Sequence, residues 1–380
     1  MKRVALWGAG EFGQYVLNRL QENSEYKIKY FVDTNAKKIK RQIPVLTVEE
    51  MINKVKNNEI DFVLITIANE KYLLEVARKC DNILVTSKIL SPMLFDKKSQ
   101  IITDDVLTKH MFENKAFLSL IEYHVCDNCN LNCVGCAHFA PIFKDSFSDI
   151  AEFKKDISQL SKVFNVFNIR LMGGEPLLHS KVTEFINLTR KYFPKTILQL
   201  VTNGLLLYKM DEEFWRVIKD NEVELHISLY EPVYKIKDKL QKLLNEKKVN
   251  YSFDIVNNEK GFITEFHKVL TSEKKYNPQL SVANCFGRNC HYFRDGKISK
   301  CAVPLLVPYI NKYFKTKFDV TDDDFINIYD KNISAWDMAE KLYQPTPFCA
   351  YCIEKKPQRF LWECQKKNIV IDDYVVNTEL

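Results

Sequence analysis

The segment "CDNCNLNCVGCAH", residues 126–138, places four thiols within eleven positions, as Cys126-x2-Cys129-x3-Cys133-x2-Cys136. Three chemistries compete for thiols this close together. A disulfide framework belongs to small secreted chains. This chain has 380 residues, an odd count of 11 cysteines and 46% hydrophobic residues, enough to bury ordinary cores. The apolar run in its opening "MKRVALWGAG" is too short for a secretory signal. The expected setting is therefore reducing and cytoplasmic. A four-cysteine zinc ribbon separates its two Cys-x2-Cys knuckles by about 15–20 residues, so that the chain wraps the metal. Here three residues separate Cys129 from Cys133. An iron–sulfur cube takes thiolates at short spacings from one loop. Cys129, Cys133 and Cys136 can hold three of its corners and leave the fourth iron open. Cys126 falls outside that triad and reads as a buried thiol.

The glycines mark further binding loops. Only ten are present, and most fall in loops of evident purpose. Gly8, Gly10 and Gly13 lie in "GAGEFG", Gly135 in the cysteine loop, Gly173 and Gly174 in "MGGEP", Gly204 in "VTNG" and Gly296 in "RDGKISKC". Glycine is needed where the backbone must approach another group closely. In "IRLMGGEPLLH", a short buried strand runs into Gly173-Gly174, and Glu175 then offers a carboxylate.

The Cys129-x3-Cys133-x2-Cys136 loop followed by Gly173-Gly174-Glu175-Pro176 resembles the radical SAM family. That resemblance covers residues 118–260 most closely and 281–364 less so. It implies a [4Fe-4S] cluster on Cys129, Cys133 and Cys136, whose open iron chelates S-adenosylmethionine. It also implies reductive cleavage to a 5′-deoxyadenosyl radical that abstracts a substrate hydrogen. Gly173, Gly174 and Glu175 would bind the amino group of S-adenosylmethionine, with Asn203 and Ser228 near its ribose or carboxylate. One departure stands out: the position before the third cysteine is usually aromatic in the family, and here it is Gly135. His138, His179 and His226 lie near the same strand ends and read first as structural.

The elements around these loops alternate. "TILQLVTNG", "VELHISLYEP" and "NYSFDIVNN" read as strands; "KVTEFINLTRKYF", "DEEFWRVIKDN" and "VYKIKDKLQKLLNEKK" carry apolar residues at helical spacing. Such alternation predicts a parallel sheet with function at the strand C-termini, and the radical SAM resemblance implies that this sheet is a partial (β/α)6 TIM-type barrel.

A second cysteine group follows a long gap: Cys285, Cys290, Cys301, Cys349, Cys352 and Cys364. "HYFRDGKISKCAV" predicts a hairpin turning at Asp295-Gly296. "FCAYC" is a Cys-x2-Cys knuckle. This arrangement resembles the auxiliary-cluster domain, Twitch or SPASM, of some radical SAM enzymes. The resemblance implies one auxiliary [4Fe-4S] cluster on Cys285, Cys301, Cys349 and Cys352, with Cys290 in reserve for the first position. The same four thiols could build a structural zinc site. Cys364 and Cys80 read as plain buried thiols.

The front of the chain has a different pattern. "KRVALWGAGEFGQYVLNRLQEN" followed by "IKYFVDTN" is strand, glycine turn, helix, strand, with Asp33 twenty residues after Gly13. Gly8, Gly10, Gly13 and Asp33 form a dinucleotide fingerprint in its required context. The stretch also resembles small Rossmann-like domains found in front of sugar-modifying enzymes, so its ligand can be a nucleotide, a nucleotide-sugar or NAD; a domain that serves only assembly is the alternative. "KKIKR", 37–41, could assist a phosphate.

The expected architecture is α/β throughout. It comprises a Rossmann-like nucleotide-binding domain at 1–100, a linker at 101–117, the partial barrel at 118–280 and a small cysteine-rich auxiliary-cluster domain at 281–380. A net charge of +6 with no basic stripe argues against nucleic acid, and no apolar run predicts a membrane span. The expected partners are a reductant such as flavodoxin or ferredoxin and a sugar-type small molecule or a peptide. Hydrogen abstraction would end in oxidation, epimerisation or dehydration of a sugar or nucleotide-sugar. A ribosomal-peptide maturase and a non-catalytic metal-stapled scaffold are the alternatives.

Overall fold

The computed structural model describes the chain apart from residues 22, 24, 84, 95–102, 255–256, 259–260, 263–264, 286, 365–367 and 377–380. Parts of the stretch expected to connect domains, and of the strand expected at 250–258, lie outside the described residues. Two compact units form: Met1–Ser119 with Val163–Phe167 and Ser334–Glu340, and Leu120–Lys162 with Asn168–Ile333 and Lys341–Leu380.

The first unit is built on a six-stranded sheet. Its strands are β1 (Lys2–Trp7), β2 (Tyr26–Val32), β3 (Val45–Leu46), β4 (Phe62–Ile65), β5 (Ser87–Leu90) and β6 (Met111–Glu113), in the order β3-β2-β1-β4-β5-β6. The first five pair in parallel and β6 closes the edge antiparallel to β5. "VALW" and "FVLI" are fully buried, as central strands covered on both faces must be. The strand order reverses between β1 and β4, so their C-terminal ends form a switch point. The expected linker covers 101–117. It contains a helix, Asp104–Lys109, and β6, whose Met111 and Phe112 are buried in the sheet. A three-residue strand is too short to show a period in sequence.

The second unit carries an eight-stranded sheet in the order β11-β10-β9-β8-β7-β15-β16-β17. Its barrel strands are β7 (Phe117–Cys126), β8 (Asn165–Gly173), β9 (Ile197–Thr202), β10 (Glu224–Ser228) and β11 (Asn250–Asp254). A short pair, β12 (Asn257–Asn258) and β13 (Gly261–Phe262), and then β14 (Glu265–Lys268) follow. The remaining strands are β15 (His291–Arg294), β16 (Lys297–Ser299), β17 (Phe325–Asn327) and β18 (Gln358–Leu361). The hairpin expected at Asp295-Gly296 joins β15 to β16. The cysteine-rich segment expected from 281 shares a sheet with the strands before it. β15 pairs in parallel with β7, so this segment extends the barrel sheet. Its helix Ala302–Phe314 packs Leu306, Val307 and Ile310 into a core with Phe139, Phe348 and Tyr351. β18 pairs antiparallel with β14 and brings the C-terminal segment back over the unit. Among the described residues no helix is long and apolar enough to cross a membrane.

Candidate active site and metal centres

β7 delivers the cysteine loop. All ten of its residues are buried, and Cys126 is the last. The next strand, β8, ends in Gly173. The two ends are laid directly on one another: Gly174 N donates to the Cys126 carbonyl at 2.9 Å and Glu175 N to the Asn128 carbonyl at 3.0 Å. A Cβ on Gly173 would sit 1.9 Å from the Cys126 oxygen, and one on Gly174 would sit 2.1 Å from the Asn128 oxygen. Gly173 also has φ +143°, a backbone that side chains oppose. The glycines thus let the second strand end pack on the backbone of the cysteine loop.

Glu175 is fully buried. Its Oε1 accepts from Leu177 N at 3.1 Å and Thr202 Oγ1 at 2.7 Å, and its Oε2 from Asn203 N at 2.8 Å. Burial pushes its carboxyl up to about 7, and the three donors oppose that shift. The carboxylate therefore ties β8 to β9. Asn203, just beyond β9, donates from Nδ2 to Asn130 Oδ1 at 2.6 Å and approaches Cys129 Sγ at 3.8 Å. Ser228 ends β10, half-buried, beside Tyr230.

The triad thiols fit a soft, all-sulfur centre. Burial, and behind it the Glu175 carboxylate and then Cys136, raises the pKa of Cys129 to about 12; burial and then Cys136 raise that of Cys133 as well. Burial likewise raises that of Cys136. Metal binding would deprotonate them outright. Among the described residues no three His, Cys, Asp or Glu side chains close around one point as a single ion needs. A cube asks less of them, since it spreads its ligands over separate irons. The C-terminal segment completes the loop: Trp362 Nε1 donates to Cys133 Sγ at 3.1 Å, and Val134 N donates to the Glu363 carbonyl at 3.0 Å. Cys126 is buried and donates its thiol hydrogen to the Glu175 carbonyl. Cys364, expected to be buried, is exposed: the segment crosses the loop opposite Cys133 with that side chain outward.

Alternation along the strands gives the sheet a polar face that the motifs did not reveal. Arg170 Nε and Asn168 Nδ2 both donate to Gln199 Oε1, Gln199 Nε2 donates to Glu224 Oε2, and Ser252 Oγ donates to Glu224 Oε1. His226 joins the row through Ser252. A period-2 polar pattern in "NIRLM", "LQLVT" and "ELHIS" was the signal available. A second cluster surrounds the start of the cysteine loop. His124 contacts Asp127 through Nδ1 at 2.9 Å and His138 through Nε2 at 2.8 Å. Arg294 Nη1 and Ser146 Oγ both donate to Asp127. Burial pushes the Asp127 carboxyl up, but His124 and Arg294 outweigh it and hold it below the usual range. His179 is held by the Ser148 carbonyl.

Cys285, Cys301, Cys349 and Cys352 stand at helix ends and turns of the cysteine-rich segment. Cys285 caps the helix Pro278–Asn284, Cys301 opens the helix Ala302–Phe314, and Cys349 and Cys352 flank one short turn. Burial raises Cys352 well above its ordinary value, and Cys301, Cys349 and Cys285 add to the effect. Cys285 and Cys349 act likewise on Cys301.

In the first unit, Gly8, Gly10 and Gly13 turn β1 into the helix Glu11–Leu20. A Cβ on Gly13 would meet the Gly8 oxygen at 1.9 Å, whereas one on Gly10 would meet nothing within 4 Å. Gly13 therefore serves packing, and Gly10 leaves open space beside the backbone. Asp33 accepts from Ala9 N at 3.3 Å and Asn35 N at 2.9 Å. Arg41, from the basic run, places Nε and Nη2 on the Ala9 carbonyl at 2.9 and 2.7 Å.

Comparison with known proteins adds three findings. Residues 123–277 match the model of the radical SAM superfamily, and residues 3–80 match that of the PglD N-terminal domain. Among curated proteins, the chain is 30% identical over 111 residues to the GTP 3′,8-cyclase of Nautilia profundicola, covering 29% of this chain and 33% of that protein. It is 33% identical over 102 residues to the GTP 3′,8-cyclase of Helicobacter pylori, covering 25% and 30%. The chain thus spans about a third of the length of these relatives. Among solved structures, BtrN in complex with AdoMet and 2-DOIA aligns with a TM-score of 0.40 at 18% identity, over 63% of this chain and 94% of that one. Native anSMEcpe with bound AdoMet aligns with a TM-score of 0.30 at 20% identity, over 36% and 43%.

Proposed function

We propose that the chain, whose residues 123–277 match the radical SAM superfamily model, is a radical SAM enzyme that abstracts a hydrogen from a sugar or nucleotide-sugar. One observation carries the reading. The Cys129–Cys136 loop, the Gly173–Glu175 turn and Asn203, far apart in sequence, are bonded into one assembly at adjacent strand ends. Cys129, Cys133 and Cys136 would hold a [4Fe-4S] cluster. With S-adenosylmethionine bound and one electron from a flavodoxin- or ferredoxin-type reductant, that centre supplies a 5′-deoxyadenosyl radical.

The chain's own residues do the rest. Gly173 and Gly174 fix the distance between the two strand ends, and Glu175 holds Asn203 against the cysteine loop. The polar row of Arg170, Gln199, Glu224 and Ser252 offers paired donors and acceptors of the kind a hydroxyl-rich substrate needs. Cys285, Cys301, Cys349 and Cys352 would hold an auxiliary [4Fe-4S] cluster that takes up the electron left on an oxidised substrate. The open turn at Gly10, with Asp33 and Arg41 beside it, suits the nucleotide part of a substrate, and the match to the PglD N-terminal domain supports that ligand class. The GTP 3′,8-cyclases resembled by part of the chain are also named for a nucleotide substrate.

The test is anaerobic reconstitution with iron, sulfide and dithionite. S-adenosylmethionine should be cleaved to 5′-deoxyadenosine, and Ala at Cys129, Cys133 or Cys136 should abolish that cleavage. Intact cubes without 5′-deoxyadenosine would refute the reading. Thermal shifts against nucleotide-sugars, nucleotides, NAD and NADP test the substrate class. A ligand at about 100 times its Kd should add roughly 2.7 kcal/mol. No shift with any of them would overturn the nucleotide-sugar assignment.

A further inference from the structure

Cys364 is a thiol outside both proposed ligand sets, and the fold sets it against one that the first set needs. It is exposed, whereas Cys133 is buried. Far apart in sequence, the two residues face each other as an antiparallel bridge pair. Val134 N, one residue after Cys133, donates to the carbonyl of Glu363, one residue before Cys364, at 3.0 Å. That bond flanks the Cys133–Cys364 pair and does not join it, so the pair is of the non-hydrogen-bonded kind. In such a pair the Cα atoms stand about 4.5 Å apart, against about 5.5 Å in a hydrogen-bonded one, and the side chains share a face. Trp362 marks the same face. It lies two residues before Cys364, and its Nε1 meets Cys133 Sγ at 3.1 Å.

A disulfide requires Cα atoms about 4.4–6.8 Å apart with the Cβ atoms turned toward one another. The register of Cys133 and Cys364 satisfies both conditions. The other thiols of the loop are engaged elsewhere. Cys126 donates to the Glu175 carbonyl at 3.0 Å, Leu131 N donates to Cys129 Sγ at 3.4 Å, and Cys136 packs against the core of Phe139 and Tyr374.

We propose that Cys133 and Cys364 are a disulfide-forming pair, and that their bond and the first cluster exclude each other. The exclusion rests on the reading of Cys133 as a cluster ligand given above; the bond itself does not. The exposed thiolate of Cys364 attacks one sulfur of a low-molecular-weight disulfide such as oxidised glutathione and releases one thiol. Cys133 then attacks the Cys364 sulfur and releases the second. The two cysteines give up two protons and two electrons, and the small disulfide takes them; an excess of thiol reverses the exchange. Bonded to Cys364, Cys133 has no thiolate to offer iron. Bonded to iron, it has none to offer Cys364. Iron therefore enters the loop only when the surrounding thiols are reducing.

The test uses the full chain carrying Cys349→Ala, so that bound iron reports the first centre. One sample is stripped with chelator and another is reconstituted anaerobically with iron and sulfide. Both are treated with oxidised glutathione, alkylated and digested without reductant, and mass spectrometry reads the linked peptides. In the stripped protein the Cys133–Cys364 linkage should exceed any linkage of Cys364 to Cys126, Cys129 or Cys136 by about tenfold or more, because the geometry selects one partner. In the iron-loaded protein it should fall by about tenfold or more, because the Cys133 thiolate is engaged. Cys364→Ser, a change at an exposed position, should abolish the linkage and keep the iron content of the parent. Cys364 found in the stripped protein only as a mixed disulfide with glutathione would overturn the proposal, as would an undiminished linkage in protein with full iron. A reconstituted parent that binds no iron yet forms the linkage would instead overturn the cluster reading and leave the disulfide standing.

Discussion

Replacing Gly174 by Ala should unfold the cysteine loop from its support even when no cofactor is present. The added Cβ would lie 2.1 Å from the Asn128 oxygen, 2.3 Å from its carbonyl carbon and 2.5 Å from the Asp127 oxygen. All three are backbone atoms, so no side chain can swing aside. Ordinary contact requires the two strands of backbone to part by more than an ångström. Two hydrogen bonds then break, Gly174 N to Cys126 O and Glu175 N to Asn128 O. Each leaves buried polar groups unpaired at about 1–3 kcal/mol, or about 2–6 kcal/mol together. For a unit of this size, about 2–4 °C per kcal/mol makes that a Tm fall of at least roughly 4 °C.

The assay is thermal unfolding of the metal-stripped protein in chelator, followed by circular dichroism. The metal-free state matters because it separates packing from ligand binding. If the two glycines served only to admit S-adenosylmethionine, the stripped variant would melt with the parent and lose only affinity. That result would refute the packing argument.

The same substitution at Gly10 should do the opposite. Its Cβ meets nothing and its φ of −76° suits any residue, so Gly10→Ala should leave the Tm unchanged or raise it by the equivalent of about 0.4–1 kcal/mol, while weakening any nucleotide-induced thermal shift. Burial lowers the pKa of His124 to about 4, below an unfolded value near 6.5. The unfolded chain therefore binds the proton first as pH falls, so stability present above about 6.5 is lost on the way down to 4, on the order of 3 kcal/mol. The Tm of His124→Gln should fall less steeply across that window, and a parallel profile would exclude His124 as the cause. Trp362→Phe removes the donor to Cys133 Sγ but keeps the ring stacked on Tyr230 at 5.5 Å. It should retain iron and shift the first cluster to a more negative midpoint potential, read by EPR-monitored titration in a Cys349→Ala background; an unchanged midpoint would mean the bond has no electronic role.

Local turns and loops were legible in the sequence and long-range pairing was not. The Cys129-x3-Cys133-x2-Cys136 spacing, the Gly173-Gly174-Glu175 turn and the Asp295-Gly296 hairpin each depend on residues within a dozen positions. The glycine fingerprint at the front could be read the same way, because each glycine answers a local demand for space. The pairing of β15 with β7 could not be read, because it joins positions about 170 residues apart, such as His291 and Ile121, and leaves no mark in either stretch. The role of Glu175 was incomplete for a similar reason: its partners Thr202 and Asn203 come from the next strand. Cys364 read as buried because free cysteines usually are. Its exposure follows from a C-terminal segment that crosses the cysteine loop in a register no local pattern encodes.

Gly135 is where these two levels meet. Read alone, it is a departure from a family pattern that prefers an aromatic residue before the third cysteine. In the fold its φ is +65°, and a Cβ there would lie 2.5 Å from the ring of Phe360 and 2.8 Å from the Asp373 oxygen. The space an aromatic side chain would take up from within the loop is filled by an aromatic ring from β18. That ring is held in turn: Lys268 of β14 lies over it at 5.0 Å, and Phe266 meets it edge-on at 5.9 Å. The exchange makes the cysteine loop dependent on the β14–β18 pair, and through it on the segment that carries Trp362 to Cys133. A glycine that weakens the local motif therefore couples the first cysteine group to the far end of the chain, so the conformation of the one cannot be fixed without the other.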